Sequence, residues 1–267
     1  MKTISELISL KGKCALITGA GGKIGYEIAL TIAELGGDLI LVDKPGTNYD
    51  NLQIAIKSLG DRSVKIVDTD LEDESARSKL IVNLLNDKSP INILINNAGF
   101  VGTADLKGWV TDIQNQSIET WRRAIEVNLT AAFDLSKGLM PKILESGDGS
   151  IINISSIYGF EAPDYSLYEG TKMGNPAAYA ASKGGLIQLS RWMATTLAPD
   201  IRVNTISPGG VFRNQPKEFI KRYETKTPLG RMAIEEDLKG AIIFLASNLS
   251  SYVTGHNLIV DGGWSSW

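Results

Sequence analysis

Seven short apolar runs punctuate this 267-residue chain, at residues 14–17, 39–42, 64–67, 91–95, 151–154, 203–206 and 258–260. Each is too short for a helix and lacks the regular polar alternation of a half-exposed strand, so each reads as a strand covered on both faces. Longer segments of helical period separate them. In the first, Ile24, Ile28, Ile32 and Leu35 form one stripe that Gly36 and Gly37 close. Strand, helix, strand at this pace requires right-handed crossovers and a parallel, doubly wound α/β sheet. No repeat, low-complexity stretch or linker divides residues 1–267, and a hydrophobic content of 43% supplies core for a single domain.

The remaining bulk features exclude several partners. A net charge of −3, with no basic run interleaved with aromatics, argues against nucleic acid. A single cysteine, Cys14, rules out an intrachain disulfide. Ser5, Glu6 and Ser9 interrupt the first ten residues, which therefore do not read as a secretory leader. Nothing approaches the roughly 20 apolar residues of a membrane span. The expectation is a cytoplasmic enzyme with no membrane attachment. With one histidine, His256, and no clustered ligand spacing, no metal site is expected, and His256 reads as a loop or strand-edge residue.

The first strand-to-helix turn reads Thr18-Gly19-Ala20-Gly21-Gly22-Lys23-Ile24-Gly25. Glycines there let the chain turn tightly and let a pyrophosphate reach backbone N–H groups at the helix N-terminus. Eighteen residues beyond Gly25, Asp43 ends the second strand, where a carboxylate accepts hydrogen bonds from ribose hydroxyls and repels a 2′-phosphate. NAD is favoured over NADP, although the adjacent Lys44 works against that preference.

A second constellation carries acid/base chemistry. In Tyr179-Ala-Ala-Ser-Lys183, placed after Asn175 as N-cap and Pro176 as first helical residue, a phenol and an ammonium stand i,i+4 on one helix. A nearby lysine charge is expected to draw the phenol down from its reference value of about 10, toward a pH at which it exchanges a proton with a substrate hydroxyl. Upstream, Trp121, Ile125, Asn128 and Ala132 share a helical face. An amide on such a stripe needs a partner, because burying it unpaired costs about 1–3 kcal/mol. Asn128 is thus a functional candidate, with a satisfied core asparagine as the alternative.

TGxxGxxG, Asp70-Leu71, Asn96-Asn97-Ala98-Gly99, Ser155-Ser156, YxxxK and Pro208-Gly209, in that order, resemble the short-chain dehydrogenase/reductase family over roughly residues 11–263. The resemblance implies a Rossmann-like fold with a seven-stranded parallel sheet flanked by helices. It implies that Gly19, Gly21, Gly22, Lys23, Ile24 and Gly25 cradle the cofactor phosphates and that Asp70 and Leu71 contact the adenine. Asn96, Asn97, Ala98 and Gly99 would line the adenosine side. Ser156 would bind the substrate oxygen and Tyr179 exchange the proton. Lys183 would bind the nicotinamide ribose and assist Tyr179, and Asn128 would hold a water linking Lys183 to solvent. Pro208, Gly209 and Val211 would meet the nicotinamide. The threonine common shortly afterwards is replaced by Phe212 and Arg213, so Arg213 is a candidate for cofactor phosphate or an anionic substrate group. The family also implies a homotetramer or dimer, built through the helix around Asn128, the helix of Tyr179 and the C-terminal segment. Trp264 and Trp267 would be unusual if exposed.

Two departures bear on the substrate. A second YxxxK, Tyr168 to Lys172, lies at the family's usual distance from Ser156, yet Gly170 and Gly174-Asn175-Pro176 break any helix that would hold it in register. Residues 161–175 then form an insertion covering the substrate pocket, or a subunit contact, with Tyr168 as a candidate substrate ligand. Residues 212–229 form a mobile lid or a fixed helix. Hydroxyls and charges on the insertion suit a sugar or other polar polyol, with a 3-oxoacyl thioester as the alternative substrate. The TGxxGxxG spacing, with Lys23 where most single-domain members carry glycine, resembles the branch acting on nucleotide sugars. The mixture is similar to oxidoreductases of bacterial flagellin and surface-glycan modification. The activity expected is NAD(H)-dependent interconversion of a secondary alcohol and a ketone; an NAD-retaining sugar epimerase or dehydratase and a non-catalytic NAD sensor are the alternatives.

Overall fold

A computed structural model describes residues 1–102 and 105–267. All seven apolar runs become strands: β1 (Cys14–Thr18), β2 (Asp38–Asp43), β3 (Val64–Asp68), β4 (Ile93–Asn96), β5 (Gly149–Ile154), β6 (Ile201–Pro208) and β7 (Asn257–Val260). They form one parallel sheet in the order β3-β2-β1-β4-β5-β6-β7. The five inner strands are apolar and buried because helices cover both faces. β3 and β7 have one neighbour each, and their burial is correspondingly incomplete: Lys65 and Ile259 are exposed.

The helices are α1 (Ile4–Ile8), α2 (Lys23–Glu34), α3 (Asp50–Ser58), α4 (Glu74–Leu85), α5 (Ile118–Ile125), α6 (Ala131–Glu145), α7 (Ala177–Leu197), α8 (Lys217–Lys226) and α9 (Lys239–Ala246). One core packs α2, α3 and α9 on the sheet through Ile28, Ile32, Ile56 and Ile242. The opposite core packs α4, α6 and α7 through Leu80, Leu135, Leu139 and Met193. Ile17 and Leu41 face the first core and Leu16 and Ile40 the second, the period-two alternation of strands buried on both sides. Among the described residues no helix is long and apolar enough to cross a membrane.

Strand order reverses between β1 and β4, so the connections leaving their carboxyl ends run to opposite sides and open a crevice there. The sequence-predicted site residues of every inner strand lie at that edge. Two local expectations are corrected, and the C-terminal tryptophans differ from each other. Asn175 does not cap α7: the cap position is Pro176, and the Ala177 N–H is satisfied by the Gln116 side chain at 3.1 Å. Trp267 lies in solvent, the unusual case, whereas Trp264 is buried and stacks on Tyr223 with ring centroids 5.9 Å apart. The helix carrying Asn128 is interrupted by a π-helical turn, Glu126–Thr130, between α5 and α6. Such π-helical turns are frequent at functional sites.

Candidate active site

A cleft of about 670 Å³ runs along the carboxyl edge of the sheet. At one end it is walled by backbone. Gly19 sits at φ +65°, and a Cβ there would lie 2.8 Å from the Ala98 Cα. A Cβ on Gly25 would stand 2.1 Å from the Gly19 carbonyl oxygen, so the helix start and the strand end approach as closely as backbone allows. No side chain caps α2 at its N-cap, Gly22, which leaves its first N–H groups for an anion. Gly19, Gly22, Lys23, Ile24 and Gly25 all line the cleft. Gly21 does not: its N–H donates to Asp43 Oδ2 at 2.9 Å, tying the loop to the end of β2.

Asp43 also accepts from the Lys44 N–H at 2.8 Å. A carboxylate has about four lone-pair sites, so two remain for ribose hydroxyls. The Lys44 ammonium lies 3.5 Å from Asp70 Oδ2. Asp70 and Leu71 line the cleft beside them. Asn97, Ala98 and Gly99 line it as well, but Asn96 does not. The Asn96 amide turns into the interior and donates to Asn153 Oδ1 at 2.8 Å and to Ser136 Oγ at 3.3 Å. Asn97 instead grips the glycine loop, donating to the carbonyls of Thr18 and Gly19 at 3.0 Å each. The Thr18 hydroxyl accepts from the N–H groups of Asn97 and Ala98, both at 3.1 Å. Sequence reasoning missed Thr18, whose TG dipeptide reads as a turn rather than as a joist between β1 and β4.

Mid-cleft, the polar groups converge from α7 and the end of β5. Ser156 follows β5 and lines the cleft with Tyr179, and its hydroxyl accepts the Tyr158 N–H at 3.2 Å. Neighbouring Ser155 spends its hydroxyl on the Lys183 carbonyl at 2.9 Å. Tyr179 is partly buried, its ring packed among Trp109, Ala124 and Ala178. Lys183 is almost fully buried and donates to the Ile154 carbonyl at 2.7 Å. Burial holds Tyr179 above the ordinary phenol range, partly offset by the neighbouring Ser156 hydroxyl, and lowers Lys183 to about 8. The net downward shift expected from the lysine charge is not what the site shows, because burial dominates. Desolvation penalises both charged forms, and Lys183 Nζ stands 5.9 Å from the Tyr179 ring centroid, bonded elsewhere.

Asn128 lies behind the cleft wall rather than on it. Its Oδ1 accepts the Phe100 N–H at 2.6 Å, while Nδ2 donates to Ser182 Oγ at 2.9 Å and to the Phe100 carbonyl at 3.3 Å. The buried amide is thus fully engaged, joining the loop after β4 to the helix of Tyr179 and Lys183.

Beyond Tyr179 the cleft is walled by side chains. Tyr158, Tyr168, Phe219, Tyr223 and Met232 line it, packed in a cluster that Trp264 backs. The Tyr158 and Tyr168 hydroxyls are 2.6 Å apart. Burial raises both, Tyr168 to about 12, so each stays protonated at neutral pH. Tyr168 ends a 3₁₀ turn, Tyr165–Tyr168, and Gly170 follows at φ +70°, so Tyr168 and Lys172 share no helix. The 161–175 segment is fastened to α8. Arg222 donates to the carbonyls of Glu169 at 2.5 Å and Leu167 at 3.3 Å, and Lys226 pairs with Asp164. Pro208, Gly209 and Val211 close the cleft from β6. Arg213 reaches its rim, but its guanidinium pairs with Glu235 and its charge is largely spent. Asn175, nine-tenths buried on the cleft wall, leaves Nδ2 with no hydrogen-bond partner among the described residues. Tyr158 and Tyr223 were not singled out from the sequence, and Asn175 was read only as a helix cap, because nothing in their spacing marks them as lining a site.

Comparison with known proteins places this geometry. A family model described as enoyl-(acyl carrier protein) reductase matches residues 19–265. The chain is 32% identical to galactitol 2-dehydrogenase (L-tagatose-forming) of Cereibacter sphaeroides, over 97% of each protein. Among solved structures, a short-chain dehydrogenase from Leptospira borgpetersenii with bound NAD+ superposes with a TM-score of 0.82 at 34% identity, covering 99% of this chain and 96% of that one. A gluconate 5-dehydrogenase from Burkholderia cenocepacia, in complex with NADP and tartrate, gives 0.85 at 27% identity, covering 99% and 100%.

Proposed function

Since the chain belongs to the short-chain dehydrogenase/reductase family, we propose that it interconverts a secondary alcohol and a ketone on a sugar, sugar acid or other polyol, with NAD(H) preferred over NADP(H). The observation that carries the reading is the meeting of Ser156, Tyr179 and Lys183 in a cleft that continues into the glycine cradle. The cradle fits a dinucleotide: side chains at Gly19 or Gly25 would collide with backbone, and the open N–H groups of α2 face the cleft. A nicotinamide cofactor held there supplies the hydride acceptor or donor.

Everything else is the work of the chain. The Ser156 hydroxyl donates to the substrate oxygen and fixes it beside the Tyr179 oxygen. For reduction, Tyr179 delivers its proton to the developing alkoxide; for oxidation, its deprotonated form takes the hydroxyl proton. Lys183, held by the Ile154 carbonyl, adds positive charge beneath the phenol when protonated and thereby favours the phenolate that oxidation needs. Asn128 positions α7 through Ser182 and the preceding loop through Phe100.

Asp43 with two lone pairs to spare, and Lys44 engaged by Asp70, support NAD. Uncharged hydroxyls on an aromatic wall support a hydroxyl-rich substrate. Self-association through α5, α6 and α7 is supported by exposed Trp121, Phe133 and Trp192, and light scattering measures it. The activity itself is tested by following NADH absorbance while the enzyme meets hexitols, aldonates and a 3-oxoacyl thioester. Oxidation of a hexitol or aldonate with NAD+ is expected. Turnover of the thioester alone, or substrate conversion with no net NADH, contradicts the assignment.

A further inference from the structure

The mechanism above uses one hydroxyl from Ser156 and one from Tyr179, yet the cleft holds a second pair of hydroxyls that it leaves idle. Tyr158 and Tyr168 come from different places in the chain, one just after the serine and the other from the 161–175 segment; both line the cleft, and their oxygens lie 2.6 Å apart. Their position is set from several sides. The Tyr158 N–H is fixed on Ser156 Oγ. The Tyr158 ring meets Trp264 edge-on at 6.4 Å, and the Tyr168 ring packs against Phe219 at 5.5 Å. The turn carrying Tyr168 is pinned to α8 by Arg222 and Lys226.

A hydroxyl pair of this kind has a fixed hydrogen-bond balance. Each phenol has one proton to donate. Whichever donates to the other, the acceptor keeps an O–H, and the donor keeps lone pairs. The pair therefore presents one uncommitted donor together with acceptor capacity, which matches an alcohol oxygen and carries no formal charge with which to bind an anion. A simple apolar ketone would leave this donor unmatched, whereas a neighbouring hydroxyl of a polyol satisfies it.

We propose that the Tyr158–Tyr168 hydroxyl pair is a specificity site that binds a hydroxyl group on the carbon next to the one being oxidised, so that the enzyme selects vicinal diol units of polyols and sugars over isolated alcohols. The inference rests on the proposed alcohol dehydrogenase activity and names the group of the substrate that is read. The 161–175 segment, which carries Tyr168, then contributes directly to recognition. Burial keeps both phenols protonated through the working range, so the recognition does not titrate near neutrality.

The test compares a cyclic vicinal diol, trans-1,2-cyclohexanediol, with cyclohexanol, which differs by the one hydroxyl in question. For wild type, Tyr158→Phe, Tyr168→Phe and the double variant, kcat/KM is measured for both alcohols with NAD+. Binding of the diol to the enzyme–NADH complex is measured by calorimetry. The expected result is a fall of at least tenfold in the diol-to-cyclohexanol ratio for each single variant, carried by KM and by weaker diol binding. The double variant is expected to be little worse than either single one, because the two hydroxyls act as a unit. A general loss of structure would lower both alcohols together and leave the ratio where it was, and that outcome overturns the inference. A wild-type enzyme that binds the diol but oxidises neither alcohol, while its NADH complex is intact, counts against the activity; if diol binding is then also unchanged in Tyr168→Phe, the recognition role falls as well.

Discussion

Around the first strand-to-helix turn the cleft wall is backbone, with Gly19 and Gly25 packed at distances no Cβ would allow and the α2 N–H groups exposed. Across the cleft, from β5 to α8, the wall is side chain: Tyr158, Tyr168, Phe219 and Tyr223 assembled from the turn after β5, the 161–175 segment and α8. A backbone wall suits a ligand that never changes, since it recognises phosphates through groups every residue carries. A side-chain wall suits a ligand that varies among related enzymes, because one substitution alters its shape without disturbing the strand order.

Variants at the hinge between the two walls should show the largest effects. Lys183→Met is expected to cost at least about a hundredfold in turnover, in the usual range for acid/base assistance. It should also raise the apoenzyme's stability. The folded lysine value, about 8, lies below the unfolded one, so the unfolded chain binds more protons between pH 8 and 10.5, and wild-type stability rises with pH across that window. Below it the buried charge is a cost on the order of 3 kcal/mol. A melting temperature a few degrees above wild type at pH 7, with the difference shrinking toward pH 10, is the expected outcome by calorimetry.

Gly25→Ala strikes the backbone wall alone. Its methyl would meet the Gly19 carbonyl at 2.1 Å, and overpacking of this kind costs about 1–3 kcal/mol. Titration with NADH should show affinity reduced by about ten- to a hundredfold through that strain, with the Tyr158–Tyr168 selectivity ratio unchanged. Asp43→Ala is smaller: it removes a ribose acceptor and the tether to Gly21, and should weaken NADH by about tenfold while narrowing the margin over NADPH. Arg222→Ala loosens the other wall by freeing the carbonyls of Leu167 and Glu169. A few-fold rise in KM for a polyol, with NADH affinity as in wild type, is the expected result. If either class of variant moves both readouts equally, the two walls are not independent and the comparison fails.

The same division explains what could be read from the sequence. Seven apolar runs and the glycine turn are local patterns, and they located all seven strands and the cradle, because burial on both faces and tight turns leave their mark on adjacent residues. Tyr179 and Lys183 were legible for the same reason, being one helical turn apart. Asn96 and Asn97 could not be told apart by their position in a motif; only the pleat at the end of β4 sends one into the Asn153 and Ser136 network and the other to the glycine loop. The capping role given to Asn175 failed because Gln116, a distant residue, supplies that acceptor. The pairing of Arg213 with Glu235 and of Tyr158 with Tyr168 likewise depends on tertiary proximity, which spacing does not encode. The upward shift of Tyr179 was missed since charge proximity can be guessed from i,i+4 spacing, whereas the depth of burial cannot.

The central claim is that the substrate proton moves at the Tyr179 oxygen. Single-turnover oxidation of a hexitol by NAD+, followed through NADH absorbance in wild type and Tyr179→Phe, tests it most directly. NADH affinity close to wild type and a hydride-transfer step at least about a hundredfold slower are expected in the variant. A variant that turns over at the wild-type rate would contradict it.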